Sequence, residues 1–197
     1  MKNITIYFPY YNSKDLLIFN LNHYSKMNPE LLKKIKLFIV DDGSTKFHAK
    51  DVLLMKEELS SKLNITLYRI DIDIPWNTPE ANNLAFSKID TKYVIRTDID
   101  HIYSEKLLYN ILEKNIPKNR VLFFKRRRLI DREYNIIKKV KSGNNIYIIS
   151  VNDYWKIGGY NEYFSGDYGD DLDFIPRLKK KFKIVITPFV NEVLVES

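Results

Sequence analysis

The chain has 197 residues, 45% hydrophobic and 29% charged, the proportions of a folded globular domain rather than a disordered chain. It has no cysteine, which excludes disulfides, thiolate metal sites and cysteine nucleophiles, and its three histidines are too scattered for a His-only zinc site. Thirty-two basic against 25 acidic residues leave a net charge of +7, a surface that attracts phosphates. The opening residues, MKNITIYFPYYN, lack the apolar run and cleavage site of a signal peptide. No run approaches the roughly 18 apolar residues of a membrane-spanning helix. A cytoplasmic protein without a transmembrane segment is expected.

Short apolar runs alternate with amphipathic stretches along the chain. Ile4 to Phe8 reads as a buried strand ended by Pro9. Asn12 and Asp15 resemble a capping box, followed by Leu17, Leu21 and Tyr24 at helical spacing. Leu37 to Val40 is a second strand, stopped by the turn residues Asp41-Asp42-Gly43-Ser44. Val52 to Leu63 reads as one helix and Ile65 to Ile70 as a third strand. Thr78-Pro79-Glu80 predicts a helix start with Thr78 as cap, and Ala81, Leu84 and Ala85 as the inner face.

Tyr93 to Ile95 is a fourth strand, and Ser104 is expected to cap a helix carrying Leu107, Leu108 and Ile111. Val121 to Phe124 and Ile146 to Ile149 read as strands, with the basic stretch between them a hairpin or loop. A short helix over Asn152 to Lys156 ends at Gly158-Gly159. A last helix from about Asp171 to Lys181 is expected to bury Leu172, Ile175 and Leu178, and Lys183 to Ile186 to close as a strand. Strand–helix alternation of this kind predicts an α/β domain with a mostly parallel, mixed central sheet flanked by helices.

Ligands of open α/β sheets sit at the carboxyl ends of the strands, where three polar clusters fall here. Pro9-Tyr10-Tyr11-Asn12 follows the first strand, Asp41-Asp42 the second and Asp98-Ile99-Asp100 the fourth. Two carboxylates at alternating positions past a strand suit a hard cation such as Mg²⁺ or Mn²⁺, which takes oxygen ligands and substrate phosphates. Four of the chain's six glycines lie between Gly158 and Gly169, just before the adjacent acids Asp170 and Asp171. Glycines permit close backbone approach, and a carboxylate at a helix N-terminus is held by the amides, as a general base in a cleft requires.

Five segments in order, ITIYFPYYN, FIVDDGST, DIPWNTPEANNLA, YVIRTDIDHIYS and GGYNEYFSGDYGDDLDF, resemble a family 2 glycosyltransferase over nearly the whole chain. The resemblance implies a single GT-A (Rossmann-like) domain over residues 1–197, its first 103 residues forming the nucleotide-sugar half and the remainder the acceptor and catalytic half. It implies inverting transfer, of hexosyltransferase class, from a nucleoside-diphosphate sugar (UDP-sugar) to an acceptor hydroxyl, with Mn²⁺ or Mg²⁺. By position, Pro9 and Tyr11 would line the base pocket, Asp42 would accept from uracil N3–H, and Asn83 and Asp98 would contact the donor. Asp100, with Asp98 and the adjacent His101, would bind the metal. Asp171 would be the base and Asp170 would position the acceptor, which is a glycan, lipid-linked glycan or protein.

The family's A-R-N-x-G stretch stands here as Ala81-Asn82-Asn83-Leu84-Ala85, without its arginine, and no histidine follows His101. Lys125, Arg126, Arg127 or Arg128 are the candidate replacement cations. Three other readings compete. One is an inactive nucleotide-sugar-binding domain. A nucleotidyltransferase is disfavoured by the glycine-free loop after the first strand, and a nucleic-acid module by the absence of any such motif. Homo-oligomerisation is left open by the sequence.

Overall fold

A computed structural model describes residues 3–114, 116–141 and 145–194. In chain order the elements are β1 (Ile4–Tyr10), α1 (Lys14–Tyr24), α2 (Pro29–Leu32), β2 (Ile35–Asp42), α3 (Ala49–Met55), α4 (Glu57–Ser60) and β3 (Ile65–Ile70). There follow α5 (Thr78–Lys88), β4 (Tyr93–Arg96), β5 (His101–Ile102), α6 (Glu105–Glu113), β6 (Arg120–Ile130), β7 (Ile136–Lys141) and β8 (Tyr147–Ser150). The chain closes with α7 (Val151–Lys156), a 3-10 turn at Glu162–Phe164, α8 (Asp170–Lys181) and β9 (Lys183–Leu194).

The strands form one sheet in the order β3-β2-β1-β4-β8-β6-β9-β5, with β7 paired to β6. Its first four strands are mutually parallel. Beyond them β8 is antiparallel to both β4 and β6, while β6 and β9 run parallel. β1 lies inside the sheet and is buried on both faces, which is why its sequence is apolar apart from Thr5, whose hydroxyl pairs with Thr91 at 2.7 Å. Ile6 and Phe8 face one core layer with Leu17 and Leu21 of α1 and Leu107 and Ile111 of α6. Tyr7 faces the other with Ala85 and Phe86 of α5 and Phe174 and Leu178 of α8. Each of the Leu, Ile and Phe side chains among them contributes about 1.5–3 kcal/mol on burial.

Pro9 is tolerated inside this central strand for a positional reason. Tyr7 accepts from the Thr97 N–H, so alternate residues of β1 turn their polar backbone toward β4. The β1–β4 pairing stops at Tyr7 and Arg96, so the N–H that proline lacks would meet no strand.

Several local expectations change in the fold. Asn12 and Asp15 do not form a capping box: Ser13 is the N-cap of α1, and Asn12 takes φ 48°. Its Oδ1 instead accepts the backbone N–H groups of Thr45, Lys46 and Phe47 at 3.2, 2.8 and 3.1 Å. The stretch Val52 to Leu63 is two helices, interrupted at Lys56, which leaves the helical region at φ −119° and ψ 40°. The cap of α5 is Asn77, with Thr78 already helical. Leu172 is 82% exposed and Phe174 is buried in its stead, because α8 starts with its first turn open to solvent. The final strand is 12 residues long, since β6 offers a partner along its length.

Candidate active site

At the carboxyl ends of β1 and β2 lies a cavity of about 450 Å³, lined by Pro9, Tyr11, Asp42 and the segment Asp73, Ile74, Pro75 and Trp76. Strand alternation sends the two acids of β2 opposite ways. Asp41 is structural: its carboxylate accepts the Ser44 and Ala49 N–H groups at 3.0 and 2.8 Å and pairs with Arg69 at 3.1 Å. Asp42 lines the cavity, where Asn77 Nδ2 donates to its Oδ1 at 3.1 Å. Burial pushes the Asp42 carboxyl up to about 6; the Asn77 hydrogen bond opposes this, and the charges of Glu80, Asp41 and Asp73 add to it.

Gly43 holds the Asp73 wall close. It sits at φ 72°, and a Cβ there would lie 2.6 Å from the Ile72 carbonyl oxygen. Trp76, itself at φ 58°, packs against Tyr168 at a tilt of 42° with ring centroids 4.3 Å apart. The cavity wall is thereby joined to the glycine loop that precedes α8. A larger cavity of about 670 Å³ lies at the opposite, amino edge of the sheet, near Lys33, Lys36 and Lys92. Its one acid, Asp90, is tied to Lys36 at 3.0 Å, so it holds none of the chemistry.

Past β4, Asp98 and Asp100 come together with His101, their ligand atoms all within 4.8 Å of one another. His101 is buried, and its Nδ1–H donates to Asp100 Oδ1 at 2.7 Å. Its Nε2 is buried and has no partner among the described residues. Burial by itself raises the Asp100 pKa, but the hydrogen bond and charge of His101, with a contribution from Arg127, hold it below the usual carboxylate range. Two carboxylates and, in its neutral form, the His101 imidazole with Nε2 unused fit a divalent cation of the Mn²⁺ or Mg²⁺ type.

Asp98 is anchored by a residue that sequence reasoning passed over. Arg96 is 3% exposed and donates Nη1 to Asp98 Oδ1 at 2.7 Å and to the Asn145 carbonyl at 2.8 Å. The Asn145 side-chain amide donates to the other Asp98 oxygen. Arg96 Nε–H is accepted by Asn82 Oδ1 at 3.2 Å. A guanidinium from β4 thus reaches the position in α5 where the resemblance would have its arginine. The only signal for it was a charged residue closing an apolar strand.

Asp170 and Asp171 open α8 behind Gly169 at φ 116°. Tyr160 donates its O–H to Asp171 Oδ1 at 3.2 Å, and Tyr147 donates to Tyr160 at 3.4 Å. Burial raises the Asp170 pKa, the Asp171 charge adds to it, and Arg96 opposes it. The charges of Arg96, Asp42 and Asp98 all act on buried Tyr7, and Arg96 acts on Asp170 as well, so the cavity, the acid–histidine group and the start of α8 converge around β1 and β4.

Asn83 stands apart from this convergence. Its Nδ2 donates to the Tyr160 carbonyl at 2.9 Å and Glu162 Oε1 at 2.8 Å, and its Oδ1 accepts from Tyr154 O–H at 2.6 Å and Tyr160 N–H at 3.0 Å. All four bonds an amide can make are used, so the residue ties α5 to the loop before α8 and has no capacity left for a donor. Of the basic candidates, Arg127 acts on Asp100, Arg128 pairs with Glu192 at 3.3 Å, and the Arg126 side chain lies outside the described residues.

No family model and no curated protein matches the chain. Solved structures do. S. aureus TarS 1–349 superposes with a TM-score of 0.71 at 14% identity, covering 98% of this chain and 60% of that one. The mannosyltransferase PcManGT from Pyrobaculum calidifontis, in complex with GDP-Man and Mn²⁺, gives 0.70 at 16% identity, over 96% and 56%. GalNAc-T7 with UDP, GalNAc and Mn²⁺ gives 0.72 at 12% identity, over 99% and 44%. The fold is GT-A. This GT-A chain spans about half the length of the structures it resembles. Within the GT-A sheet, the mixed strand order places β4 beside β8, which is why Arg96 and Asn145 meet over Asp98.

Proposed function

We propose that the chain is an inverting hexosyltransferase that moves a sugar from a UDP-sugar to an acceptor hydroxyl. One observation carries the reading: the Asp42 cavity, the Asp98–Asp100–His101 group and the Tyr160-bound Asp171 stand together at the carboxyl edge of one sheet. The nucleotide and Mn²⁺ in the PcManGT and GalNAc-T7 complexes support it.

In this reading residues up to about 103 hold the donor and the rest serve the acceptor. Pro9, Tyr11 and Trp76 wall the base, and ionised Asp42 accepts the uracil N3–H. Asp98, Asp100 and His101 would hold Mn²⁺ or Mg²⁺, which when bound neutralises charge on the diphosphate. Arg127 adds positive charge from β6. Asp171 takes the acceptor proton as the hydroxyl oxygen attacks the anomeric carbon from the face opposite the diphosphate. The new C–O bond forms as the bond to the diphosphate breaks, which inverts the carbon. Tyr160 occupies Oδ1, so the proton goes to Oδ2. Asp170 positions the acceptor.

Calorimetric titration with UDP, GDP and ADP, in Mn²⁺ and in excess chelator, tests the donor assignment. UDP is expected to bind at least about tenfold more tightly than ADP, because a pocket that pairs a ring N–H rejects adenine, which lacks one on its pairing edge. Equal affinity for all three, or UDP binding unchanged by chelator, sinks the reading. Release of UDP rather than pyrophosphate from a UDP-sugar separates transfer from nucleotidyl chemistry, and binding without release marks an inactive domain.

A further inference from the structure

The positive charge of this protein is concentrated in one hairpin. Residues 120–141, which form β6, a turn and β7, hold nine of the 32 basic residues and two of the 25 acidic ones. The rest of the chain is balanced at 23 of each sign. Little of this charge is spent internally: Arg128 with Glu192 is the hairpin's one ion pair among the described residues. Lys139 stands opposite Arg128 across the ladder, an arrangement in which like charges oppose pairing.

The hairpin continues the sheet beyond the rim of the site, with β6 paired to β9 as far as Ile130. Phe123 shares a row with Tyr147 and Arg96, so the last seven residues of β6 run past the end of β4, roughly 23 Å at about 3.3 Å per residue. Its turn is braced by Tyr134, which stacks on Phe19 of α1 at 5.4 Å. Among the described residues β7 pairs with β6 alone and takes no strand on its outer edge. Along it Ile136 and Ile137 are 50% and 61% exposed, beside exposed Lys138, Lys139 and Lys141.

Lysines by themselves would be the ordinary guard of an open edge against pairing. Two adjacent exposed isoleucines undo that guard. The ladder passes from Leu129–Lys138 to Ile130–Ile136 and skips Ile137, so the bulge breaks the alternation there and Ile137 stands out of the ladder beside Ile136. A nucleic acid would satisfy the charge but not the isoleucines, whereas an anionic bilayer offers phosphates above an apolar layer.

We propose that the β6–β7 hairpin docks the protein onto an anionic phospholipid bilayer, with Lys138, Lys139 and Lys141 on the headgroups and Ile136 and Ile137 in the interfacial layer. Docking does not depend on the chemistry of the site. Joined to the transferase reading, on which this step rests, it turns the acid-lined rim toward the bilayer and assigns a lipid-linked acceptor.

Co-sedimentation of the full chain with vesicles tests the docking, using phosphatidylcholine alone and phosphatidylcholine mixed with phosphatidylglycerol at physiological salt. The wild type is expected to partition onto the mixed vesicles only. Lys138→Gln/Lys139→Gln/Lys141→Gln should lower that partition about a hundredfold, at about fivefold per basic residue near the surface. Ile136→Ser/Ile137→Ser should lower it as well and leave a remainder abolished by salt. UDP binding by the same variants, read separately, reports that they fold. Wild type that stays in solution with both vesicles overturns the proposal. So does capture by heparin without vesicle binding, or a dimer dispersed by the isoleucine changes without vesicle binding. Vesicle binding by a protein that does not bind UDP keeps the docking and removes the lipid-linked acceptor.

Discussion

Tyr160 donates its phenolic hydrogen to Asp171 at 3.2 Å while its ring lies flat on Phe174, centroids 4.0 Å apart. The stack fixes the ring and the hydroxyl fixes the carboxylate, so an aromatic core from β8, α7 and α8 sets where the proposed base points. Tyr160→Phe keeps the stack and removes the bond. A hydrogen bond to a charged group contributes about 1.5–3 kcal/mol, so turnover should fall about 10- to 100-fold with UDP affinity unchanged. Steady-state rates beside UDP titration decide it; an unaffected rate removes Tyr160 as a positioning residue.

Asp171→Asn keeps the shape and the bond from Tyr160 but cannot take a proton. Turnover should drop about 10²–10⁴-fold with donor binding intact, and Asp170→Asn should act mainly on acceptor KM. Donor binding lost before turnover would show that Asp171 is not the base.

Asp42 gives the site a pH dependence with two opposite signs. Its folded pKa, about 6, stands above the ordinary 3.8, so the folded protein binds this proton more tightly than the unfolded chain. The stability it contributes is full below about pH 4 and is lost as pH rises through about 6, on the order of 2–3 kcal/mol. Binding runs the other way, because only the carboxylate accepts the base N–H. Uridine, which carries no phosphate, should bind at full strength above about pH 6 and lose about tenfold per unit below it. Denaturant melts of Asp42→Asn should gain on the wild type as pH rises from 4 to 8. A flat uridine profile would detach Asp42 from the base.

Gly43→Ala would bring a Cβ to 2.6 Å from the Ile72 oxygen and 2.8 Å from Asp73 Cα, at a φ of 72° that alanine disfavours. Both neighbours are backbone and cannot swing aside. A loss of about 2–4 kcal/mol is expected in urea unfolding, together with weaker UDP binding as the Asp73–Trp76 wall moves out. Wild-type stability would mean that the turn can flatten without cost.

Local chemistry made much of this protein legible from its residues. Apolar runs marked β1, β2 and β4 because a buried strand must be apolar, and Ser104 was legible as a helix start because its hydroxyl accepts the Leu107 N–H, while Ser150, which does the same for Asp153, was passed over. The acids at the strand ends stood out for the same reason: nothing in a strand's own packing asks for Asp42, Asp98 or Asp100. What local pattern cannot state is which face another element will cover. Alternation says that Asp41 and Asp42 point apart, but only the placement of α3 and α5 decides that Asp42 lines the cavity. Helical spacing put Leu172 inside, and the sheet buries Phe174 instead. Arg96, Asn82 and Asn145 are ordinary polar residues in sequence; they became the clamp on Asp98 because β4, α5 and the approach to β8 meet there. Asn83, next to the inner-face Leu84, was spent on a loop 77 residues away. Sequence determined the elements and the acids they carry, since those follow from propensity and periodicity within a few residues. Tertiary structure alone decided which polar groups were consumed in holding the fold and which were left to face a ligand, because a hydrogen bond between distant residues exists only once packing has brought them together.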